Sequence, residues 1–121
     1  MKSNENKERK AALAVSRAMD QKFGKDLLVM EIGAISSIAD YFVIATGGSF
    51  PQIQALARAA EETMAKCGYK IISSEGLRSA NWVLLDFGDI IVHIFDKESR
   101  EFYSLERVWG DAKIIETINP G

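Results

Sequence analysis

The first regular hydrophobic pattern of the chain lies near its amino terminus and predicts a helix over about residues 5–23. Apolar side chains recur there every three or four residues, which places them on one face of a helix: Ala12, Val15, Met19 and Phe23. Gly24 follows directly, where a glycine commonly ends a helix because it tolerates a left-handed backbone. We therefore expect Gly24 to form the C-terminal cap.

The second helix has the clearest local signals in the sequence. Ser49 can cap its first turn, Gln52 three residues later completes a capping box, and Pro51 is tolerated at this position. Small and apolar residues form one stripe along it: Ile53, Leu56, Ala57, Ala60, Met64 and Cys67. Gly68 is predicted to end this helix.

Five short apolar segments predict β-strands, at residues 26–32, 40–45, 69–73, 81–87 and 89–95. The second is apolar almost throughout, which is typical of a strand covered on both faces. Gly88, between the last two segments, favours a hairpin. Helices and strands in this order predict an α/β fold with a single mixed sheet flanked by helices.

The organisation of the chain favours one domain over residues 1–121, because no linker or internal repeat divides it. Short helical turns are predicted over residues 97–109. We expect residues 11–112 to form the core of the domain, with flexible ends at residues 1–10 and 113–121.

Composition and charge narrow the classes of function. The chain has 121 residues, of which 47% are hydrophobic and 26% charged, as in one ordinary globular domain. Its formal net charge of -2 disfavours direct DNA binding and fits a basic protein partner better than bare RNA. No apolar run approaches the roughly 20 residues that span a bilayer, and no signal peptide is recognisable. We therefore expect a cytoplasmic protein without a membrane partner.

Metal and cofactor chemistry is not favoured by the sequence. Cys67 is the single cysteine and His93 the single histidine, so neither residue type supplies a cluster of metal ligands. No Walker-type or dinucleotide-binding glycine motif is present. We expect no metal and no cofactor. His93 itself is interpreted as a hydrogen-bonded structural or interface residue, with a catalytic base as the alternative.

Gly47, Gly48 and Ser49 follow a predicted strand and open a helix, where backbone N–H groups can hold a phosphate. They also resemble the Gly-Ser signature of nucleotidyltransferases, which needs two nearby carboxylates to hold Mg²⁺. Residues 50–60 contain no Asp or Glu, which disfavours an active enzyme. A structural turn, a relic of a nucleotidyltransferase-like fold and a ligand-binding loop remain the interpretations.

The predicted strand at residues 81–87 carries the candidate binding surface. Trp82, Leu84 and Asp86 alternate onto one of its faces. An aromatic anchor beside an aliphatic side chain and a carboxylate is typical of a protein-binding hot spot. This face is a partner site if it is uncovered and a second core layer if a helix lies over it.

Four segments together resemble the ribosomal silencing factor family, the Iojap-related proteins. They are SSIADYFVIATG from Ser36, EG at Glu75, NWVLLDFGDIIVHIF from Asn81 and REFYSLERVWGDA from Arg100. The resemblance covers about residues 11–112. It implies a nucleotidyltransferase-like topology without that enzyme's carboxylates, in agreement with the missing carboxylate pair.

The resemblance also implies a function. It implies a non-enzymatic protein that is a homodimer when free and binds the large ribosomal subunit through large-subunit ribosomal protein fourteen. The bound protein would block joining of the small subunit and repress translation under nutrient limitation, as a stress response. The implied partner surface on this chain is Trp82, Leu84 and Asp86, with Asp89 and His93 from the neighbouring strand. A nucleotidyltransferase-like enzyme and a ribosome assembly factor are the alternatives.

Overall fold

The computed structural model describes residues 2–77 and 81–118, with side chains from residue 7 onward. The helices of these residues are α1 (Lys2–Gln21), α2 (Phe50–Lys66), α3 (Lys97–Tyr103) and α4 (Leu105–Val108). The strands are β1 (Lys25–Glu31), β2 (Tyr41–Thr46), β3 (Ser73–Glu75), β4 (Trp82–Asp86), β5 (Ile90–Phe95) and β6 (Lys113–Ile118). They form one sheet in the order β3-β4-β5-β2-β1-β6.

The centre of the sheet is the parallel pair β2 and β5, and every other pairing is antiparallel. All six residues of each central strand are buried, as predicted for β2 from its continuous apolar run. The predicted α/β fold with a mixed sheet flanked by helices is confirmed. The nucleotidyltransferase-like topology stays a prediction.

The main core lies between the sheet and the two long helices. Alternate residues of the central strands face it, because side chains along a strand point to opposite faces in turn: Tyr41, Val43, Ala45, Ile90, Val92 and Ile94. The helices meet them with most of the predicted stripes, including Val15 and Met19 of α1 and Leu56 and Met64 of α2. Phe23, which was predicted to belong to the α1 stripe, is exposed instead, because α1 ends at Gln21. No helix in the described part of the chain is long and apolar enough to cross a membrane.

A smaller core lies on the opposite face of the sheet. The remaining residues of the central strands build it, with partners from β1: Leu28, Met30, Phe42, Ile44, Ile91 and Phe95. Leu105 and Trp109, in and just after α4, pack against this cluster. The predicted helical turns therefore form a partial cover for the second face.

Ser49 and Gln52 begin α2 as the sequence predicts. The Ser49 hydroxyl accepts a hydrogen bond from the Gln52 N–H at 3.2 Å. The Gln52 side-chain oxygen accepts from the N–H of Gly48, one residue earlier than in a standard capping box. Its amide group donates to the carbonyls of Lys22 and Phe23, at 3.2 and 2.8 Å, so Gln52 joins the start of α2 to the end of α1.

The end of α2 explains why the predicted strand at residues 69–73 is wrong. Gly68 is left-handed, with φ 90°, and the N–H of Tyr69 donates back to the carbonyl of Met64. The backbone of Tyr69 therefore completes the end of α2 in a Schellman motif and does not extend a strand. The strand β3 begins only at Ser73, where it pairs with Asp86 of β4.

Helix α1 ends in the same Schellman pattern, but Phe23 takes the left-handed position that Gly68 takes at the end of α2. The N–H of Gly24 donates to the carbonyl of Met19, and Phe23 adopts the left-handed conformation with φ 66°. The prediction that Gly24 forms the left-handed cap is therefore wrong by one residue. Gly24 is needed for another reason: a Cβ there would lie 3.0 Å from the Met19 carbonyl oxygen.

Regular structure extends into both of the ends that were predicted to be flexible, and their flexibility itself stays a prediction. Helix α1 begins at Lys2, and residues 113–118 form β6, which pairs antiparallel with β1. The isoleucines of β6 supply the reason, since Ile115 and Ile118 pack against the main core. Residues 78–80 of the predicted polar loop and residues 119–121 of the predicted end lie outside the described residues. The assignment of residues 1–121 to one domain stays a prediction.

Replacing Phe23 with glycine is expected to stabilise the fold. A non-glycine residue in the left-handed region costs about 1–2 kcal/mol, and the Phe23 side chain is 78% exposed, so little buried surface is lost. We expect Phe23→Gly to raise the free energy of unfolding by about 1 kcal/mol in a urea titration. A destabilised variant would show that the Phe23 ring makes contacts that outweigh the backbone strain.

Candidate functional site

Strand β4 presents a half-buried face, as the alternating sequence predicts. Trp82, Leu84 and Asp86 are each partly exposed, whereas Val83 and Leu85 between them are buried in the main core. Trp82 and Leu84 pack at the margin of the smaller core. The face is therefore neither a fully open partner site nor a fully covered core layer, because α3 and α4 cover it only in part.

Trp82 is held in place by contacts on several sides. Its ring lies 4.6 Å from that of Tyr103 in α3 and 5.0 Å from that of Phe95 in β5, measured between centroids. Its indole N–H donates to Nδ1 of His93 at 3.1 Å. Since that N–H is already bonded within the chain, Trp82 offers a partner the carbon surface of its ring.

His93 is a buried support for Trp82. It is 4% exposed, and its ring meets that of Phe42 edge-on at 4.6 Å. Burial lowers the pKa of His93 from its ordinary value of 6.5 to about 4, so the imidazole is neutral near pH 7. Because Nδ1 accepts from Trp82, the proton lies on Nε2, which has no hydrogen-bond partner among the described residues. The structure thus favours the structural interpretation of His93 over a catalytic base.

Exposed aromatic side chains extend the half-buried strand face onto α3. Phe102 is 79% exposed, and its ring meets that of Tyr103 edge-on at 5.0 Å. Tyr103 is itself 42% exposed. We call the surface formed by Trp82, Leu84, Phe102 and Tyr103 the aromatic face. Sequence reasoning missed Phe102, because nothing in a seven-residue helix shows which of its side chains will stay exposed.

The two predicted aspartates lie apart from each other. Asp86 accepts a hydrogen bond from the Gly88 N–H at 2.8 Å, so its carboxylate stabilises the hairpin turn at the end of β4. The carboxylate of Asp89 lies with those of Glu8 and Asp40 instead. The structure therefore brings together Trp82, Leu84 and His93, and it places Asp89 in a different group.

That group is an acidic cluster of Glu8, Asp40 and Asp89, whose carboxylate oxygens lie within 4.8 Å of one another. Burial, followed by hydrogen bonding and charge repulsion from the two aspartates, raises the pKa of Glu8 from 4.5 to about 7. Three carboxylates of this kind are the ligand type that hard divalent cations take. No pattern along the chain indicates the cluster, because its members come from α1, the loop before β2 and the turn before β5.

The loop of Gly47, Gly48 and Ser49 uses much of its hydrogen-bonding capacity within the fold. The N–H of Gly47 donates to the Phe95 carbonyl at 2.8 Å, and the N–H of Gly48 donates to Gln52. Ser49 caps α2. These contacts support the interpretation of the loop as a structural turn.

Gly76 allows the backbone after β3 to pass close to the backbone of Trp82. Its φ of 84° is left-handed, and a Cβ at this position would collide with the carbonyl oxygen of Trp82. Any larger residue would displace the start of β4. This contact gives a structural reason for the glycine that follows Glu75.

Comparisons with known proteins identify the family. The sequence profile described as "Ribosomal silencing factor during starvation" (RsfS) matches residues 4–120. The ribosomal silencing factor RsfS of Bacillus subtilis is 41% identical over 99 residues, covering 82% of this chain and 84% of the relative. That of Zymomonas mobilis is 45% identical over 97 residues, covering 79% and 72%. The chain belongs to the ribosomal silencing factor family.

A solved structure of a related protein agrees with the fold. A crystal structure of a Chromobacterium violaceum protein superposes with a TM-score of 0.80 and 31% identity, covering 84% of this chain and 85% of that one. The family profile also extends through β6, which the sequence analysis left outside the resemblance. The fold and the family therefore include residues that were expected to be a separate tail.

Protonation of His93 is expected to destabilise the aromatic face at low pH. Because burial depresses the pKa of His93 to about 4, its contribution to stability is fully present above pH 6.5 and is lost as the pH falls from 6.5 toward 4. We expect the free energy of unfolding of the native chain to fall relative to that of His93→Asn over this window, since asparagine does not titrate. Urea titrations at several pH values measure the difference, and parallel profiles for the two proteins would contradict the proposed protonation.

The acidic cluster is expected to destabilise the fold at high pH. Because the pKa of Glu8 is raised to about 7, its stabilising contribution is fully present below pH 4.5 and is lost as the pH rises through 7. We expect Glu8→Gln to unfold at a higher temperature than the native chain at pH 8 and at a similar one at pH 4. Glu62→Gln, at an exposed position of α2, is the matched control and is expected to change little at either pH. Equal effects of the two substitutions at pH 8 would argue against a repulsive cluster.

Proposed function

We propose that this protein binds the large ribosomal subunit through large-subunit ribosomal protein fourteen and sterically blocks joining of the small subunit. The observation that carries the proposal is the aromatic face, where exposed Phe102 and Tyr103 adjoin half-buried Trp82 and Leu84. Membership of the ribosomal silencing factor family supports a ribosomal partner.

The chemistry of the aromatic face suits a protein surface. Aromatic residues in a half-buried setting are enriched among binding hot spots, and burying one large apolar side chain contributes about 1.5–3 kcal/mol. Phe102 and Tyr103 are the most exposed side chains of this face, so burying them against a partner would contribute the most binding free energy. Trp82 is already oriented by His93 and Tyr103, which reduces the entropy cost of binding.

The charges of α3 and of the whole chain favour a basic partner. Helix α3 exposes Glu98 and Glu101 against one exposed cation, Lys97. The chain as a whole carries a formal charge of -2. A surface that leans acidic steers a basic partner into place and disfavours acidic ones.

The mechanism needs no chemistry at the bound surface. A domain docked by its aromatic face would occupy volume at the subunit interface, and two subunits cannot meet across it. We therefore propose a non-enzymatic, cytoplasmic repressor that acts under nutrient limitation. We further propose that the free protein is a homodimer that covers part of the aromatic face, so that dimerisation and ribosome binding compete.

Substitution of Phe102 tests the proposed surface with a closely matched control. Phe102→Ala is expected to weaken binding to large subunits by roughly 10-fold or more, because it removes an exposed ring without disturbing the core. Phe23→Ala removes an equally exposed ring at the end of α1, on the opposite face of the sheet, and is expected to bind normally. Co-sedimentation with purified large subunits, small subunits and joined ribosomes measures both.

Trp82→Ala is a second variant of the same experiment, and it is expected to abolish binding while leaving far-ultraviolet circular dichroism unchanged. If this variant unfolds, Trp82 belongs to the core. In that case Phe102→Ala alone tests whether the aromatic face binds the large subunit. Normal binding of Phe102→Ala together with a folded, binding-competent Trp82→Ala would refute the aromatic face as the docking surface. If the native protein co-sediments with neither subunit and not with joined ribosomes, the ribosomal function itself is refuted.

A further inference from the structure

Helix α3, which carries Phe102 and Tyr103 of the aromatic face, is too short to be stable on its own. It has seven residues, and isolated helices of fewer than about 12 residues are marginal in water because the first turn is costly to form. The Asp96 carboxylate caps the helix by accepting a hydrogen bond from the Ser99 N–H at 2.8 Å. The position and rotation of α3 therefore depend on its contacts with the rest of the fold.

Arg100 joins α3 to the sheet. It is 5% exposed, and its Nη1 donates to the hydroxyl of Thr46 in β2 at 2.8 Å. Its Nε donates to both carboxylate oxygens of Glu106 in α4, at 3.2 and 3.3 Å. The carboxylate of Asp26 in β1 lies 3.8 Å from Nη2, within ion-pair distance. One side chain of α3 thus contacts two strands and the following helix.

The strand partners of Arg100 are held by the sheet. Thr46 is the last residue of the fully buried β2, where it pairs with Lys25 of β1 and Phe95 of β5. Asp26 adopts a left-handed backbone, with φ 52°, at an irregularity in the pairing of β1 with β2. A guanidinium is planar and directs its donors along fixed lines, so contacts with three groups set its orientation as well as its position.

The period of the helix relates Arg100 to the two exposed rings. Successive residues are rotated by about 100°, so Phe102 lies about 160° from Arg100 around the helix and Tyr103 about 60° from it. The structure agrees, because Arg100 is buried, Phe102 is 79% exposed and the Tyr103 ring lies 4.6 Å from that of Trp82. Fixing Arg100 against the sheet therefore turns Phe102 outward and Tyr103 toward Trp82.

An apolar residue in place of Arg100 would not fix the helix in this way. Desolvation of a buried guanidinium offsets much of the attraction from its carboxylates, so such a network adds little stability over apolar packing. Apolar contacts have no direction, however, and leave a short helix free to rotate. The particular contribution of Arg100 is thus the orientation of α3.

We propose that Arg100 is a positioning residue for docking on the large ribosomal subunit. It holds α3 in the rotation that presents Phe102 and Tyr103 to the partner, and it does not touch the partner itself. This inference rests on the proposed function, because it assigns a role in binding through the aromatic face.

Substitutions of Thr46 test this role without changing Arg100. Thr46→Val keeps the shape of the side chain and removes the hydroxyl that accepts from Arg100, whereas Thr46→Ser keeps a hydroxyl. We expect Thr46→Val to weaken binding to purified large subunits by roughly 10-fold, the scale of one hydrogen bond to a charged group, and Thr46→Ser to bind within about twofold of the native chain. Co-sedimentation titrations with the full chain measure both.

Glu106→Ala removes a different contact of Arg100 and decides the question if Thr46→Val does not fold. It is expected to weaken binding by roughly 10-fold as well. Asp111→Ala removes an exposed carboxylate just after α4 and is the matched control for the loss of charge. We expect this control to change binding little.

Combining Thr46→Val with Phe102→Ala separates positioning from a general loss of stability. If Arg100 acts through the ring, the effect of Thr46→Val on binding falls from roughly 10-fold to about threefold or less once the ring is absent. Amide hydrogen exchange supplies a second measurement, since Thr46→Val is expected to speed exchange in α3 and to leave α2 unchanged.

The outcomes distinguish this inference from the proposed function. Native-like binding by both Thr46→Val and Glu106→Ala would overturn the positioning role, as would an equal loss of binding with and without the Phe102 ring. If the native chain binds and these variants bind equally well, only this inference fails. If the native chain itself does not bind large subunits, the proposed function fails and this inference fails with it.

Discussion

Burial of the two central strands on both faces is the constraint on which the rest of the structure depends. Strands β2 and β5 expose none of their residues, so each polar side chain in them needs a partner inside the fold. Thr46 receives a hydrogen bond from Arg100, and His93 receives one from Trp82. The first of these contacts anchors α3 to the sheet, and the second fixes the ring at the centre of the aromatic face. Two polar residues in an otherwise apolar pair of strands thus hold α3 on the sheet and orient Trp82.

The same strand pair separates the charges of the molecule. Asp40 and Asp89 precede β2 and β5 and belong to the acidic cluster, whereas Thr46 and Lys97 mark the opposite ends, where they line a cavity of about 350 Å³. A strand of six residues spans about 20 Å, so the two charged regions lie that far apart. The aromatic face lies beside the strands, between these ends. Because the neutral His93 is buried beneath it, recognition there depends mainly on shape and apolar area.

Much of the fold could be predicted from the sequence, because the residues that define these elements are close together along the chain. The capping residues Ser49 and Gln52, the apolar stripe of α2 and the Gly88 hairpin follow from neighbouring residues alone. The alternation of Trp82 and Leu84 with buried residues follows from the period of a strand. Local reasoning failed where two signals compete: Tyr69 has high strand propensity, yet its backbone closes the end of α2.

The sequence by itself determined the two long helices, the two central strands, the alternating faces of β4 and, through its resemblance, the family. Only the tertiary structure decided which of those faces stays open and which distant side chains meet. Arg100 and Thr46 are 54 positions apart, and the carboxylate of Asp89 lies beside Glu8 of α1 instead of beside Trp82. The physical reason is that hydrophobic period sets the conformation of a segment, whereas strand order and register set its neighbours. A pattern along the chain therefore predicts a face, and packing alone shows what lies against it.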